Sequence, residues 1–291
     1  MPIVEKKTDA NEHGLGKDRR WHAAIDLHFK ARADKTVLSK LRFSGPLRVQ
    51  RPFYPEGEVC HVYLLHPPGG MVSGDHIDIS ATVGAGAHAL LTTPSAGKVY
   101  ASDSNNVIQK QTIKLYVDNG ICEWLPQENI VFDGANASLI THVELSGGAK
   151  FMGWDMLALG RPVGDLPFKS GCIRQALSIT QNGLPLLIER FLLDGELELL
   201  TSHAGLMGFP FMGNFYMVAP DLEQLIDKIR ERLPEPTEAL ILAATFKQGI
   251  VIVRGFSQCA EQLRNHFIQL WGTIRYDVVQ REACFPRIWS T

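Results

Sequence analysis

The chain has 291 residues, 45% of them hydrophobic and 21% charged, with a formal net charge of −2. That length suits one large domain or two small ones, and a near-neutral chain with scattered Lys and Arg lacks the basic footprint of a nucleic-acid binder. No apolar run approaches the ~20 residues that span a bilayer. Met1 to Trp21 is polar with no signal-peptide core, which predicts a cytoplasmic protein without membrane contact.

In chain order, residues 1–20 are polar enough to be expected as a disordered tail, and 21–291 as a single β-rich domain. The first distinctive element is the loop His66-Pro67-Pro68-Gly69-Gly70-Met71-Val72-Ser73-Gly74-Asp75, which follows the apolar run Val59, Val62, Tyr63, Leu64, Leu65. Two prolines fix φ and remove donors, and three glycines permit positive φ. The loop is forced along one backbone path that ends at Asp75. It is not a P-loop: that motif needs a Lys after its last Gly, and none lies between Gly69 and Asp75. Gly97-Lys98 has Thr92 where the first Gly belongs and Val99 where Ser or Thr belongs. Gly84-Ala85-Gly86-Ala87-His88-Ala89 lacks the third Gly of a dinucleotide fingerprint and runs into the strand-like Leu90–Thr93.

From Ile77 onward the period is two. Ile113, Leu115 and Val117 alternate with Lys114 and Tyr116, and Ala137, Leu139, Thr141, Val143 and Leu145 alternate with Ser138, Ile140, His142 and Glu144. These are strands with one buried face. Turn residues divide them at Gly84–Gly86, Asp118-Asn119-Gly120, Asp133-Gly134, Gly147-Gly148, Gln181-Asn182-Gly183 and Asp194-Gly195. Asn119-Gly120 and Asn182-Gly183 carry hairpin chemistry. The expected fold is mainly β, with layered or stacked, antiparallel-rich sheets and two C-terminal α-helices. The first helix is the stripe Leu222, Leu225, Ile226, Ile229, Leu233, capped by Asp221 with Gln224 and stopped by Pro234 and Pro236. The second runs from Ser257 to about Ile274 and buries Ala260, Leu263, Phe267 and Leu270. Leu240–Phe246 and Gly249–Arg254 form a hairpin between them, so about 221–275 is a helix–hairpin–helix portion.

Catalytic motifs are scarce. The cysteines (Cys60, Cys122, Cys172, Cys259, Cys284) form no C-x-x-C pair and read as buried apolar groups in a reducing compartment. His61, His66 and His76 follow one another without H-E-x-x-H or comparable ligand spacing, and no G-x-S-x-G elbow exists. Glu123, Glu128 and Asp155 could supply a carboxylate pair, but spacing in sequence does not give their separation.

Several segments combine aromatic, Pro, Gly and charged residues: Thr92–Tyr100, Glu123–Phe132, Gly153-Trp154-Asp155-Met156 with Leu159-Gly160-Arg161, and Glu189-Arg190-Phe191. Charges beside large apolar groups must be paired if buried, which marks Arg161 and Arg190 as candidate partners of carboxylates. HPPGGMVSGD, TTPSAGKVY, EWLPQENIVF, GWDMLALGR and Glu189-Arg190 resemble the signature blocks of the urease accessory proteins of the UreD/UreH family. Trp21, Gly45-Pro46-Leu47, Gln50-Arg51-Pro52-Phe53-Tyr54 and Pro286-Arg287-Ile288-Trp289 extend the resemblance over roughly 21–291. Met71, Ser73, and Val99 in place of the more usual Phe are mild departures.

The resemblance implies a urease maturation factor rather than an enzyme. It would be a scaffold that links a UreF-type accessory protein, and through it a UreG-type GTPase, to apo-urease subunits. It also implies a β-rich stack with two helices, no permanently bound cofactor, and an internal passage for transient nickel. Oxygen ligands hold nickel less tenaciously than clustered His or Cys. Asp75, Glu123, Glu128, Asp155 and Glu189 are the candidate passage carboxylates, with Arg161 and Arg190 orienting them. The competing reading is a β-rich hydrolase using Glu123/Glu128 or Asp155/Glu189 as its carboxylate pair.

Overall fold

The computed structural model describes residues 3–6, 21–194 and 198–290. It opens with β1 (Ile3–Lys6), the hairpin β2 (Trp21–Arg32) and β3 (Lys35–Ser44), and the short β4 (Arg48–Val49). The chain then passes repeatedly between two sheets through β5 (Cys60–Leu65), β6 (Asp75–Val83), β7 (His88–Thr92), β8 (Gly97–Val99), β9 (Gln109–Asp118), β10 (Ile121–Trp124), β11 (Asn129–Val131), β12 (Ala135–Ser146) and β13 (Lys150–Arg161). After β14 (Leu166–Pro167) come β15 (Gly171–Gln181), β16 (Leu184–Asp194), α1 (Glu198–Thr201), β17 (Phe211–Val218), α2 (Ile226–Arg230), β18 (Leu240–Lys247), β19 (Ile250–Ser257) and α3 (Ala260–Val279). The first sheet has the order β1-β3-β2-β6-β9-β12-β15-β16, and the main path of the second is β18-β19-β17-β13-β10-β7-β5-β4.

The fold is mainly β and stacked, with α2 and α3 near the C-terminus, as the alternation and the late helical stripes indicate. Toward the ends of the stack the ladders are antiparallel, in β2/β3, β15/β16, β13/β17, β17/β19 and β18/β19, apart from the outermost pair β1/β3, which is parallel. In the middle β2, β6, β9, β12 and β15 pair in parallel, and so do β5, β7, β10 and β13. The reason is visible at Asn119-Gly120. Asn119 adopts φ 46°, as hairpin chemistry requires, yet it turns β9 of one sheet into β10 of the other. This site is a corner and not the expected hairpin. Asn182-Gly183, with Asn182 at φ 51°, does close the β15/β16 hairpin. Positive-φ residues permit a reversal of direction, but they do not specify which sheet receives the chain.

The corners are bonded to one another. The side-chain oxygen of Asn119 accepts from the Gly148 N–H at 3.0 Å, and that of Asn182 accepts from the Gly147 N–H at 2.9 Å. Each turn thereby sets the register of the next, which matters because a one-residue slip would turn an apolar face outward.

Two apolar layers result. Ile77, Ile79, Ala81 and Val83 of β6, Ile113, Leu115 and Val117 of β9, and Val143 and Leu145 of β12 face the second sheet. Ala137, Leu139, Val143 and Leu145 are buried as their alternation predicts. On the far side of the second sheet, Met152, Trp154, Met156, Phe215 and Met217 pack against Leu263, Phe267, Leu270, Trp271 and Ile274 of α3. Each fully buried large side chain there contributes about 1.5–3 kcal/mol.

The helices differ from expectation in extent. Asp221 sits at φ 60° without a side-chain cap bond, so no capping box forms. Leu222–Leu225 is a 3-10 turn and only Ile226–Arg230 is α-helical, although Leu222, Ile226 and Ile229 are buried as the stripe requires. Ser257 ends β19, and the last helix runs to Val279, where Gln280 turns left-handed at φ 60°. Of the expected tail, Ile3–Lys6 is strand, parallel to Lys40–Phe43 of β3. The rest of the tail, and Gly195 of the expected Asp194-Gly195 turn, lie outside the described residues. Cys60 and Cys122 are buried as expected, Cys172 and Cys284 partly so, and Cys259 is exposed; all five are free thiols. No helix among the described residues is long and apolar enough to cross a membrane.

Candidate functional site

Alternation sends Asp155 of β13 toward the gap between the sheets while its neighbours Trp154 and Met156 face the helices. Gln175 of β15 donates to Asp155 Oδ2 at 3.2 Å, and Asn214 of β17 donates to Oδ1 at 3.2 Å. Arg254 of β19 donates to Asn214 Oδ1 at 3.2 Å and forms an ion pair with Glu189 of β16, which also accepts from the Tyr216 hydroxyl at 3.1 Å. These residues, with Arg190, Leu177, Ile188, Phe191 and Met212, line a cavity of about 390 Å³ between the sheets. Burial pushes the Asp155 carboxyl up to about 6, and the Asn214 hydrogen bonds and Arg254 charge offset this only in part. Asp155 is thus a carboxyl shifted toward neutrality, in a cavity it shares with the Arg254–Glu189 ion pair.

A second cluster lies on the opposite face of the second sheet. Glu123 of β10 is fully buried, and its carboxylate accepts from Trp271 Nε1 at 2.6 Å and from Arg275 Nε and Nη2 at 3.1 and 2.8 Å. His88 Nε2 lies 2.6 Å from Oε1, the oxygen that Arg275 Nη2 also meets. The same guanidinium spans to Glu56 at 2.8 and 2.9 Å and donates to the Glu282 carbonyl, and His61 Nε2 stands 2.6 Å from Glu56. Burial opposes ionisation of Glu123, but the hydrogen bonds and charges of His88 and Arg275 outweigh it and hold the carboxyl down to about 2. For Arg275 burial acts downward, and the two carboxylates reverse that and raise its pKa. Every acceptor of Glu123 is engaged by the protein, so this cluster is a clamp between α3 and the sheet.

The family model described as UreD urease accessory protein matches residues 22–290. The urease accessory protein UreD of Pseudoalteromonas translucida is 41% identical, over 100% of this chain and 98% of that protein. That of Marinobacter nauticus is 43% identical over 97% of each, and UreD 1 of Psychrobacter cryohalolentis is 38% identical over 100% and 98%. The chain belongs to the UreD family.

The blocks by which the chain resembles UreD proteins have separable structural duties. In the His66–Asp75 loop, Asp75 Oδ2 accepts from the Val72 N–H at 2.9 Å and the Asp75 N–H donates to the Val72 carbonyl at 3.0 Å. Burial raises the Asp75 carboxyl, with the Val72 bond opposing. Met71 bridges to Val99, which joins this loop to the Thr92–Tyr100 block around a small cavity of about 110 Å³. Glu128 accepts from Arg264 of α3 at 3.0 Å. Trp154 Nε1 donates to the Pro126 carbonyl at 2.7 Å, and Trp289 Nε1 donates to Thr92 Oγ1 at 3.0 Å, so the terminal block ties back to the others.

Of the five candidate passage carboxylates, Asp155 and Glu189 share a cavity, while Asp75, Glu123 and Glu128 each have partners elsewhere. Arg190 lines the cavity, but Arg161 lies over the Phe132 ring at 5.3 Å. The arginines that hold these carboxylates are Arg254, Arg264 and Arg275. They follow their partners by 65, 136 and 152 positions. The only local signal was a charged residue on an otherwise apolar face, as with Arg275 between Ile274 and Val278.

Proposed function

We propose that this UreD-family chain is a cytoplasmic urease maturation factor. It acts as a scaffold that links a UreF-type accessory protein, and through it a UreG-type GTPase, to apo-urease subunits, and it assists nickel insertion through the inter-sheet cavity. The observation that carries this reading is the pairing of that cavity with the edge strand beside it. β16 ends the first sheet and exposes Leu184, Ile188 and Leu192 by 71, 62 and 54%. An edge strand with apolar residues outward is a liability for a free monomer and a natural surface for a partner. Glu189 reaches into the cavity, and the exposed Ile188 beside it stands at the rim. A bound partner would therefore sit directly over oxygen donors suited to weak, reversible nickel contact.

The relatives' names support the urease assignment. The hydrolase reading loses its Glu123/Glu128 pair, because Arg275 and Arg264 neutralise those groups.

The experiment is co-expression with urease and the other accessory proteins, followed by nickel content and activity of the purified urease. Asp155→Asn and Glu189→Gln are expected to lower nickel per urease while leaving partner capture intact, and Ile188→Asp is expected to abolish capture. Unchanged nickel in both cavity variants would exclude the passage role.

A further inference from the structure

The outer face of the first sheet carries a group of side chains that the inter-sheet cavity does not use. His22 of β2 and His76 of β6 are in register across a parallel ladder, and Asp78 follows His76 on the same face. His22 Nε2 lies 2.7 Å from Asp78 Oδ2, and His76 Nε2 lies 3.1 Å from Asp78 Oδ1. The two imidazole rings are 5.0 Å apart, and the three ligand atoms all lie within 4.8 Å of one another. From this geometry we propose that His22, His76 and Asp78 form a surface site for a borderline divalent transition cation such as Ni²⁺ or Zn²⁺.

Donors about 2.0–2.2 Å from one metal ion stand roughly 3 Å apart along the edges of its coordination polyhedron, which is the spacing each imidazole keeps from its own carboxylate oxygen. Two imidazoles with one carboxylate favour borderline metals, whereas Mg²⁺ and Ca²⁺ prefer oxygen donors alone. The ligands stand on two hydrogen-bonded strands, which fixes their separation without the help of a loop. Ala24, the residue paired with Asp78, is small and leaves the carboxylate accessible from the side of His22. Lys110 pairs with His76 from the next strand and is exposed, so its flexible ammonium can swing away from a bound cation. The site keeps open positions toward solvent, which suits an ion that is exchanged. It lies outside the inter-sheet cavity and does not depend on the maturation role.

The test is equilibrium dialysis of the purified full-length chain against Ni²⁺ alone and Zn²⁺ alone, with Mg²⁺ as control, and Co²⁺ absorption as the signature of imidazole ligation. The wild type is expected to bind one more ion per chain than the His22→Ala/His76→Ala variant. Single variants His22→Ala and His76→Ala should weaken that site by at least about tenfold. Metal-free melting curves establish that the variants fold, and exposed His22 supplies a single change that leaves the core untouched. Equal stoichiometry and affinity in wild type and double variant, or no Ni²⁺ and no Zn²⁺ bound by the wild type, would overturn the proposal.

Discussion

Arg275 and Glu123 meet 2.8 Å apart, with both side chains fully out of solvent. Removing one member of such a pair strands the other charge, which costs about 3–5 kcal/mol. Glu123→Gln and Arg275→Met are each expected to lower the melting temperature by about 10 °C, given roughly 2–4 °C per kcal/mol in chains of this size. In the double variant the two losses should fall short of their sum, because neither member of the Glu123–Arg275 pair is left facing the other's absence, while Glu56 keeps only His61. Denaturant titration of the four proteins measures this directly.

Glu123 and Asp155 give opposite responses to pH. The Glu123 carboxyl falls from 4.5 to about 2 on folding, so its contribution is complete above pH 4.5 and is lost as pH drops toward 2. Melting curves between pH 6 and 3 should therefore steepen their decline below 4.5 in the wild type, and Glu123→Gln should flatten it.

For Asp155 the shift is upward, from 3.8 to about 6, so the folded state binds the extra proton and its contribution is lost as pH rises through 6. Asp155→Asn is expected to raise stability at pH 8 by about 1–3 kcal/mol and to change little at pH 4. A gain at pH 4 equal to that at pH 8 would count against the raised carboxyl.

The loop glycines separate two kinds of constraint. Gly69 has φ +82° and open space around an added Cβ, so Gly69→Ala should cost about 1–2 kcal/mol from backbone strain alone. At Gly70 a Cβ would stand 2.5 Å from the Tyr100 ring and 3.0 Å from the Lys98 carbonyl. Gly70→Ala is therefore expected to be the more damaging change, and Tyr100→Ala should relieve part of it. Chemical denaturation of the three variants and the double tests the order.

Much of this was legible because period and burial are local. The alternation in β9 and β12, the stripe from Leu222 to Ile229 and the buried face of α3 all follow from residues within reach of one another. The parallel middle of the stack was not legible, since Asn119-Gly120 serves a corner as well as a hairpin. Glu123 and Glu189 stood out as charges in apolar company, but their partners Arg275 and Arg254 lie far along the chain. Arg161 and Arg190 were nearer in sequence, and neither holds these carboxylates. The grouping of His61, His66 and His76 dissolved for the same reason. His61 meets Glu56, while His76 meets Asp78 beside His22, which is 54 positions earlier.

The Arg275 clamp also orders events during synthesis. Glu56 and Glu123 leave the ribosome long before the helix that pairs with them, and without it Glu123 would keep only His88 as a partner and lie uncovered on the sheet. That face of the second sheet is expected to stay uncovered until the residues of α3 have emerged. The layer beneath α3 is therefore the last part of the core to close, and a chain cut before Ala260 is expected to leave Met152, Trp154 and Phe215 exposed, which binding of a hydrophobic dye would report.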